Sequence, residues 1–336
     1  MTATLPTPQR WLDPAWQAAA LAWADDVLGG LGLERTGWSH PHVRPWSTVL
    51  RIETSGDPVW LKAPGDGARY EVALLALLAE LDAPSTPRPL AASVDDGWLL
   101  LPDGGPVSRA AHGGLTPVDV SVGQLAEYAA LQRALEPHVQ RLLLAGPRDL
   151  RPALMPQVLA QTVAVLEAER PPARLSADDA ARLRAVLPAY AEACAELAGS
   201  GISPTLQHDD LHDNNILVRG PVFIDWGDSC VGHPFGTMLA TLRSIAHHHG
   251  LAPDDPALAR VADAYTEAWT DIADRATLRR QVELALRVGP LTRSLSYRQA
   301  LTHVDDTAWQ ADADAMPEWL LEMLEPDLPL HPALLG

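Results

Sequence analysis

From Gln207 to Asn215 every residue except Leu211 is polar, and two short apolar runs follow at once, Ile216-Leu217-Val218 and Val222-Phe223-Ile224. Between those runs stand Arg219, Gly220 and Pro221, a turn cluster, so the pair reads as a short hairpin. A stretch this polar cannot serve as core, and its Gly/Pro and strand neighbours argue against a helix. It is expected to be a loop fixed at its end by a tight two-stranded support. Asn215 then enters the hairpin and Asp225 leaves it, which sets the distance between them.

Within the loop, His208, Asp210, Leu211 and Asn215 stand in the order and spacing H-x-D-L-x-x-x-N, and ten residues on comes Ile224-Asp225-Trp226-Gly227. These residue types suit phosphoryl transfer, in which negative charge spreads over the moving group and catalysis is mainly positioning and charge neutralisation. Mg²⁺ takes hard oxygen ligands, which Asn215 and Asp225 can supply, while Asp210 can face an acceptor hydroxyl as catalytic residue. Such chemistry also needs a cation on a strand to hold nucleotide phosphates, oriented by a carboxylate on the next helix. Lys62 is the only lysine among 25 basic residues; it ends the run Val59-Trp60-Leu61-Lys62, and Glu71 opens the helical pattern that follows. An arginine fork would not replace a compact ammonium cleanly at that place.

Upstream, residues 13–33 carry helical spacing ended by Gly29, Gly30 and Gly32. Val43–Glu53 and Val59–Ala63 read as an antiparallel hairpin, and Arg69–Leu81 reads as a helix with apolar residues at helical intervals. Pro102, Asp103, Gly104, Gly105 and Pro106 mark a hinge. Beyond it the chain is expected to be helical except for the hairpin after Asn215, with helix starts at Thr116-Pro117-Asp119, Ser176/Asp179 and Asp255-Pro256.

On these residues the chain resembles the aminoglycoside phosphotransferase and choline kinase-like family of small-molecule kinases, from about Gly37 to about Ala300. The resemblance implies an α+β, protein-kinase-like bilobal fold. Residues 1–101 would form an N-terminal lobe of antiparallel sheet plus helix, with 1–36 as a helical extension. Residues 102–336 would form a larger, mainly helical lobe with the catalytic hairpin. It implies ATP and Mg²⁺ as cofactors, adenine held by backbone near Leu100, Leu101 and Asp103, and phosphate contacts from Ser47 and Thr48. His208 and His212 would support the loop, and Asp209, Asp213 and Asp228 are candidates for substrate contact. Gly232-His233-Pro234-Phe235-Gly236-Thr237 departs from the family's G-D-P-x-x-D, lacking two acidic residues.

Composition narrows the partners. With 25 Lys+Arg against 43 Asp+Glu the formal charge is −18, which repels a polyanion, so nucleic acid is not expected. No apolar run spans a bilayer, Met1–Arg10 lacks the order of a secretory signal, and Cys194 and Cys230 cannot build a disulfide framework. A cytoplasmic protein is expected. Gly289–Tyr297 and the acidic residues Asp305, Asp306, Asp312, Asp314, Glu318, Glu322 and Glu325 are candidates to border an acceptor pocket, where carboxylates would favour a cationic acceptor.

The expected activity is Mg-ATP-dependent O-phosphorylation of an aminoglycoside-like, amino-sugar or amino-alcohol acceptor. Two alternatives stand beside it, a nucleotide-binding pseudokinase and a metal-dependent hydrolase. His208 and His212 have a zinc spacing, but no Glu follows His208 as in H-E-x-x-H. His247, His248 and His249 read as an exposed helix end.

Overall fold

The computed structural model describes residues 5–324. Five antiparallel strands form the first sheet: β1 (Arg35–Arg44), β2 (Ser47–Thr54), β3 (Val59–Pro64), β4 (Ala91–Ser93) and β5 (Trp98–Pro102), in the order β1-β2-β3-β5-β4. The sequence reading ran Val43–Glu53 together as one strand. The structure instead breaks it at Pro45 and Trp46, with β1 entering from Arg35. Polar residues of β1 such as Ser39, exposed, and His42, half-buried, leave it without a hydrophobic alternation.

The two faces of this sheet do different work. Leu50, Ile52, Leu61 and Leu100 pack with Trp11, Leu21, Ala24 and Leu28, so the helix Pro14–Gly30 covers one face. Its first turn is capped by Asp13, whose side chain accepts from the Ala15 amide. Because side chains alternate along a strand, the residue after Leu61 points the other way. Lys62 therefore faces the helix Tyr70–Glu80, whose Val72, Leu75 and Leu78 join the second, larger core together with Leu99, the pairing partner of Lys62.

That larger core is built mainly from helices, including Val118–Leu135, Ala177–Ala198, Arg275–Val288 and Pro290–Ala300. Ser176 and Asp255 cap their helices as expected, accepting from the amides of Asp179 and Ala257. Thr116 does not cap; its hydroxyl donates to Asp213 instead. The helical region also holds more sheet than the sequence suggested. Three short strands, β6 (Arg148–Leu150), β7 (Thr205–Gln207) and β10 (Cys230–Gly232), pair in the order β6-β10-β7, and β8 (Ile216–Leu217) pairs with β9 (Val222–Phe223) as the expected hairpin. Three-residue strands carry too few alternations to be read from periodicity.

Two close backbone approaches help join the sheet to the helices. Gly104 packs on Leu217 so closely that a Cβ there would meet the Leu217 Cδ1 at 2.3 Å, and the Val218 amide donates to Pro106, fastening the hinge to the hairpin. Gly67 lies against the backbone of Gln299, where a Cβ would come within 2.0 Å of the carbonyl oxygen. Among the described residues no helix is long and apolar enough to cross a membrane.

Candidate active site

The hairpin and the sheet converge on Lys62. Its Nζ donates to Glu71 Oε1 at 2.7 Å and to Asp225 Oδ1 at 2.6 Å, joining a neighbouring pair to a residue far along the chain. Burial by itself opposes the ammonium charge, but Asp225 and then Glu71 outweigh it and hold the Lys62 pKa above its usual value. Lys62 in turn lowers the Asp225 carboxyl, whereas burial raises Glu71. The same Glu71 Oε1 accepts from the Trp226 amide at 2.9 Å, so the carboxylate is tied to both cation and loop.

Asp225 has left-handed backbone geometry, φ 65° and ψ 62°, a region that Asp tolerates better than most residues. Its side chain is 47 % exposed and opens on the cleft. Trp226 is buried: its indole donates to the Phe223 carbonyl and packs against His208 and Tyr128. His208 is buried too, with Nε2 at 2.8 Å from the Ile224 carbonyl, so it binds the loop to the second hairpin strand, and burial lowers its pKa. Locked in this way, it does not pair with His212 around a metal.

Asn215 uses its amide nitrogen on the Asp210 carbonyl, 3.0 Å away, and its own carbonyl accepts from the Ile224 amide. Among the described residues its Oδ1 makes no hydrogen bond. Asp225 likewise commits Oδ1 to Lys62 and keeps Oδ2 free of protein donors. One amide oxygen and one carboxylate oxygen at the two ends of a short hairpin form a hard donor set that fits Mg²⁺ shared with phosphate oxygens.

Asp210 stands where two hollows adjoin. One is lined by Trp46, Ser47, Glu71, Asp225 and Gly227; the other by Trp46, Arg293, Ser296, Tyr297 and Asp312; Asp210, Asp228 and Ala300 border both. Arg293 Nη2 lies 3.2 Å from Asp210 Oδ1, and His212 Nε2 lies 3.5 Å from Asp210 Oδ2. Burial would raise the Asp210 pKa, but Arg293 and then His212 prevail and bring it down to about 2.

Several expected contacts go elsewhere. Asp209 is buried, accepting from Gln207, Thr292 and Ser296, so it anchors the loop and does not face a substrate. Asp213 is held by Arg109 and Thr116 on the far side of the loop. Thr48 is wholly buried; its hydroxyl donates to the His42 carbonyl and lies near His40. Leu100 and Leu101 lie on β5 with the Leu100 side chain in the core and the Asp103 carboxylate accepting from the Gly105 amide, which leaves open the backbone contact with adenine expected of this segment. Ser47 and Asp228 do border the cleft.

Of the acidic residues near the C-terminal end, Asp312 lines the second hollow. Asp305 caps a helix, Asp306 pairs with Arg170 and Glu322 with Arg243; Asp314 and Glu318 do not line it, and Glu325 lies outside the described residues. His247–His249 close the helix Met238–His249, where His249 Nε2 lies 2.9 Å from the Thr116 carbonyl. Arg293 was not singled out from sequence. Its one local signal is its company, since Thr292, Ser294 and Ser296 beside it are buried polar residues.

A family model described as the phosphotransferase enzyme family matches residues 43–274, more than half of the chain. No curated protein matches the sequence. Among solved structures, the fold is similar to the macrolide 2'-phosphotransferase of Brachybacterium faecium (19% identity, 88% of this chain and 97% of that one, TM-score 0.58). It is similar also to an ethanolamine kinase of Plasmodium vivax (16% identity, 90% and 86%, TM-score 0.59). A third similar structure is the GDP and kanamycin complex of APH(2")-IIia (15% identity, 89% and 98%, TM-score 0.57).

Proposed function

Because the chain belongs to the phosphotransferase enzyme family of small-molecule kinases, we propose that it transfers the γ-phosphoryl group of Mg-ATP to a hydroxyl of a small, amino-bearing acceptor. The observation that carries this reading is the place of Asp210, on the border between a hollow containing Asp225 and Glu71 and one containing Tyr297 and Asp312. Nucleotide phosphates in the first and an acceptor hydroxyl in the second would meet at its carboxylate.

Lys62 would grip the α- and β-phosphates, kept charged and aimed by Glu71. Asn215 and Asp225 would hold Mg²⁺, which when bound neutralises charge on the phosphate oxygens. The acceptor oxygen forms its bond to phosphorus as the bond from phosphorus to the ADP oxygen breaks, and the acceptor proton passes to Asp210 and then to water. A carboxylate held below its usual range by Arg293 is a weak base. Asp210 therefore acts chiefly by orienting the hydroxyl and receives the proton late, as a loose transition state allows.

The second hollow favours a cationic acceptor. Asp210, Asp228 and Asp312 face it with Arg293 as the one cation among its lining residues, and Trp46 and Tyr297 add aromatic walls suited to an ammonium group. The test is nucleoside diphosphate release with ATP and GTP in parallel, across aminoglycosides, macrolides, amino sugars, neutral sugars and amino alcohols. Stimulation by a cationic acceptor that disappears in Asp210→Ala supports the reading. Nucleotide binding with no stimulated release across the panel favours a pseudokinase.

A further inference from the structure

We propose that Arg293 is a positioning residue for phosphoryl transfer, whose guanidinium fixes the carboxylate of Asp210 so that Oδ2 is presented to the acceptor hydroxyl. The inference rests on the function proposed above and adds to it a residue from a helix remote from the catalytic loop in sequence.

Arg293 projects from the helix Pro290–Ala300 and its side chain is 9 % exposed. Its two terminal nitrogens are divided among one wall of the cleft. Nη2 lies 3.2 Å from Asp210 Oδ1; Nη1 donates to the Asp209 carbonyl at 2.9 Å and lies 3.3 Å from Asp228 Oδ2. Arg293 thus pairs by charge with Oδ1 of Asp210, which leaves Oδ2, 3.5 Å from His212 Nε2, as the oxygen for the acceptor.

The inner nitrogen makes the case sharper. Nε of Arg293 is buried and has no hydrogen-bond partner among the described residues. The group thus sits where the carboxylates need it and not where its own donors are best satisfied. The rings of Tyr297 and Trp319, 5.9 and 5.7 Å from the guanidinium carbon, flank it and limit its orientation. The same helix supplies Thr292 and Ser296 to Asp209 and Gln299 to the Gly227 carbonyl, so it braces the loop over more than one turn.

Charge makes the position necessary. Asp209, Asp210 and Asp228 share one wall, and without a cation they would repel each other and the incoming phosphate oxygens. A lysine would restore one charge but neither the planar fork nor the ring packing.

The experiment compares the parent with Arg293→Met, Arg293→Lys, Arg293→Ala and Asp210→Ala, following kcat, both KM values, nucleotide affinity and melting temperature. Arg293→Met should lose about 10²-fold in kcat, the scale of a misplaced reacting group, with nucleotide affinity unchanged. Arg293→Lys should lose less, and added guanidinium ion should restore part of the activity of Arg293→Ala. Parent-like kcat in a folded Arg293→Met protein overturns the inference. So does a loss that follows nucleotide affinity or melting temperature and is not restored by guanidinium. If Arg293→Met does not fold, Arg293→Lys decides, and a parent-like kcat there overturns it. Full turnover in Asp210→Ala instead overturns the function itself. A crystal structure supplies a readout independent of any acceptor: Asp210 should leave its parent rotamer in Arg293→Met or, where that protein does not fold, in Arg293→Lys, and an unchanged rotamer overturns the positioning role.

Discussion

The two ends of the cleft use the same parts in different proportions. At the nucleotide end Lys62 is shared by a buried carboxylate, Glu71, and an exposed one, Asp225. At the acceptor end Arg293 is shared by a buried carboxylate, Asp209, and two that face the cleft, Asp210 and Asp228. In each case one anion is hidden in the scaffold, while Asp225 at one end and Asp210 and Asp228 at the other open on the cleft. The acceptor end carries one more uncompensated carboxylate, which under the proposed function would suit a cation brought by the substrate, whereas the nucleotide end would receive its extra cation as metal.

This comparison ranks the expected effects of substitution. Glu71→Ala removes the buried half of an ion pair and should cost about 3–5 kcal/mol of stability in denaturant unfolding. Asp209→Ala should cost less, because Arg293 keeps Asp210 and Asp228; equal losses would break the parallel between the two ends. Next in size is a contrast in turnover. Asp225→Asn should lower kcat by about 10²–10³-fold, while Asp228→Asn should mainly raise KM for a cationic acceptor and spare a neutral one. If Asp228→Asn instead weakens nucleotide binding, the division of the cleft into two ends is wrong.

The smallest effect lies outside both ends and separates scaffold from site. His233 is buried, its Nδ1 accepts from the Phe235 amide, and burial brings its pKa down to about 3. The folded state therefore refuses a proton that the unfolded chain accepts near pH 6.5, so this contribution is intact above that pH and is lost as pH falls towards 3. By pH 5 the loss should be roughly 2 kcal/mol, and His233→Asn, which can keep the cap, should flatten the stability curve there. An unchanged acid limb in that variant would place the titration elsewhere.

Much of the nucleotide end was legible because its parts are local. Asn215 and Asp225 lie at the two ends of one hairpin, and Lys62 and Glu71 lie on a strand and the helix that follows it. The segment 43–53 was misread because β1 is largely exposed and polar, so its alternation carried no hydrophobic signal. Asp209 and Asp213 look as available as Asp210 in sequence. Only the approach of Thr292 and Ser296 to one, and of Arg109 to the other, takes them out of the cleft.

By itself, then, the amino-acid sequence determined the loop and hairpin, the strand-borne lysine, the carboxylate on the next helix and most helix starts. These follow from backbone geometry, side-chain alternation and capping over a few residues. Which arginine reaches Asp210, which aspartates are buried, and which members of Gly289–Tyr297 and of the acidic residues after it line the second hollow were decided by tertiary structure alone. Nothing near Arg293 in the chain names its partners. It becomes a buried cation because the helix Pro290–Ala300 packs against a loop some eighty residues earlier, and burial sets its charge beside the carboxylates of Asp209, Asp210 and Asp228.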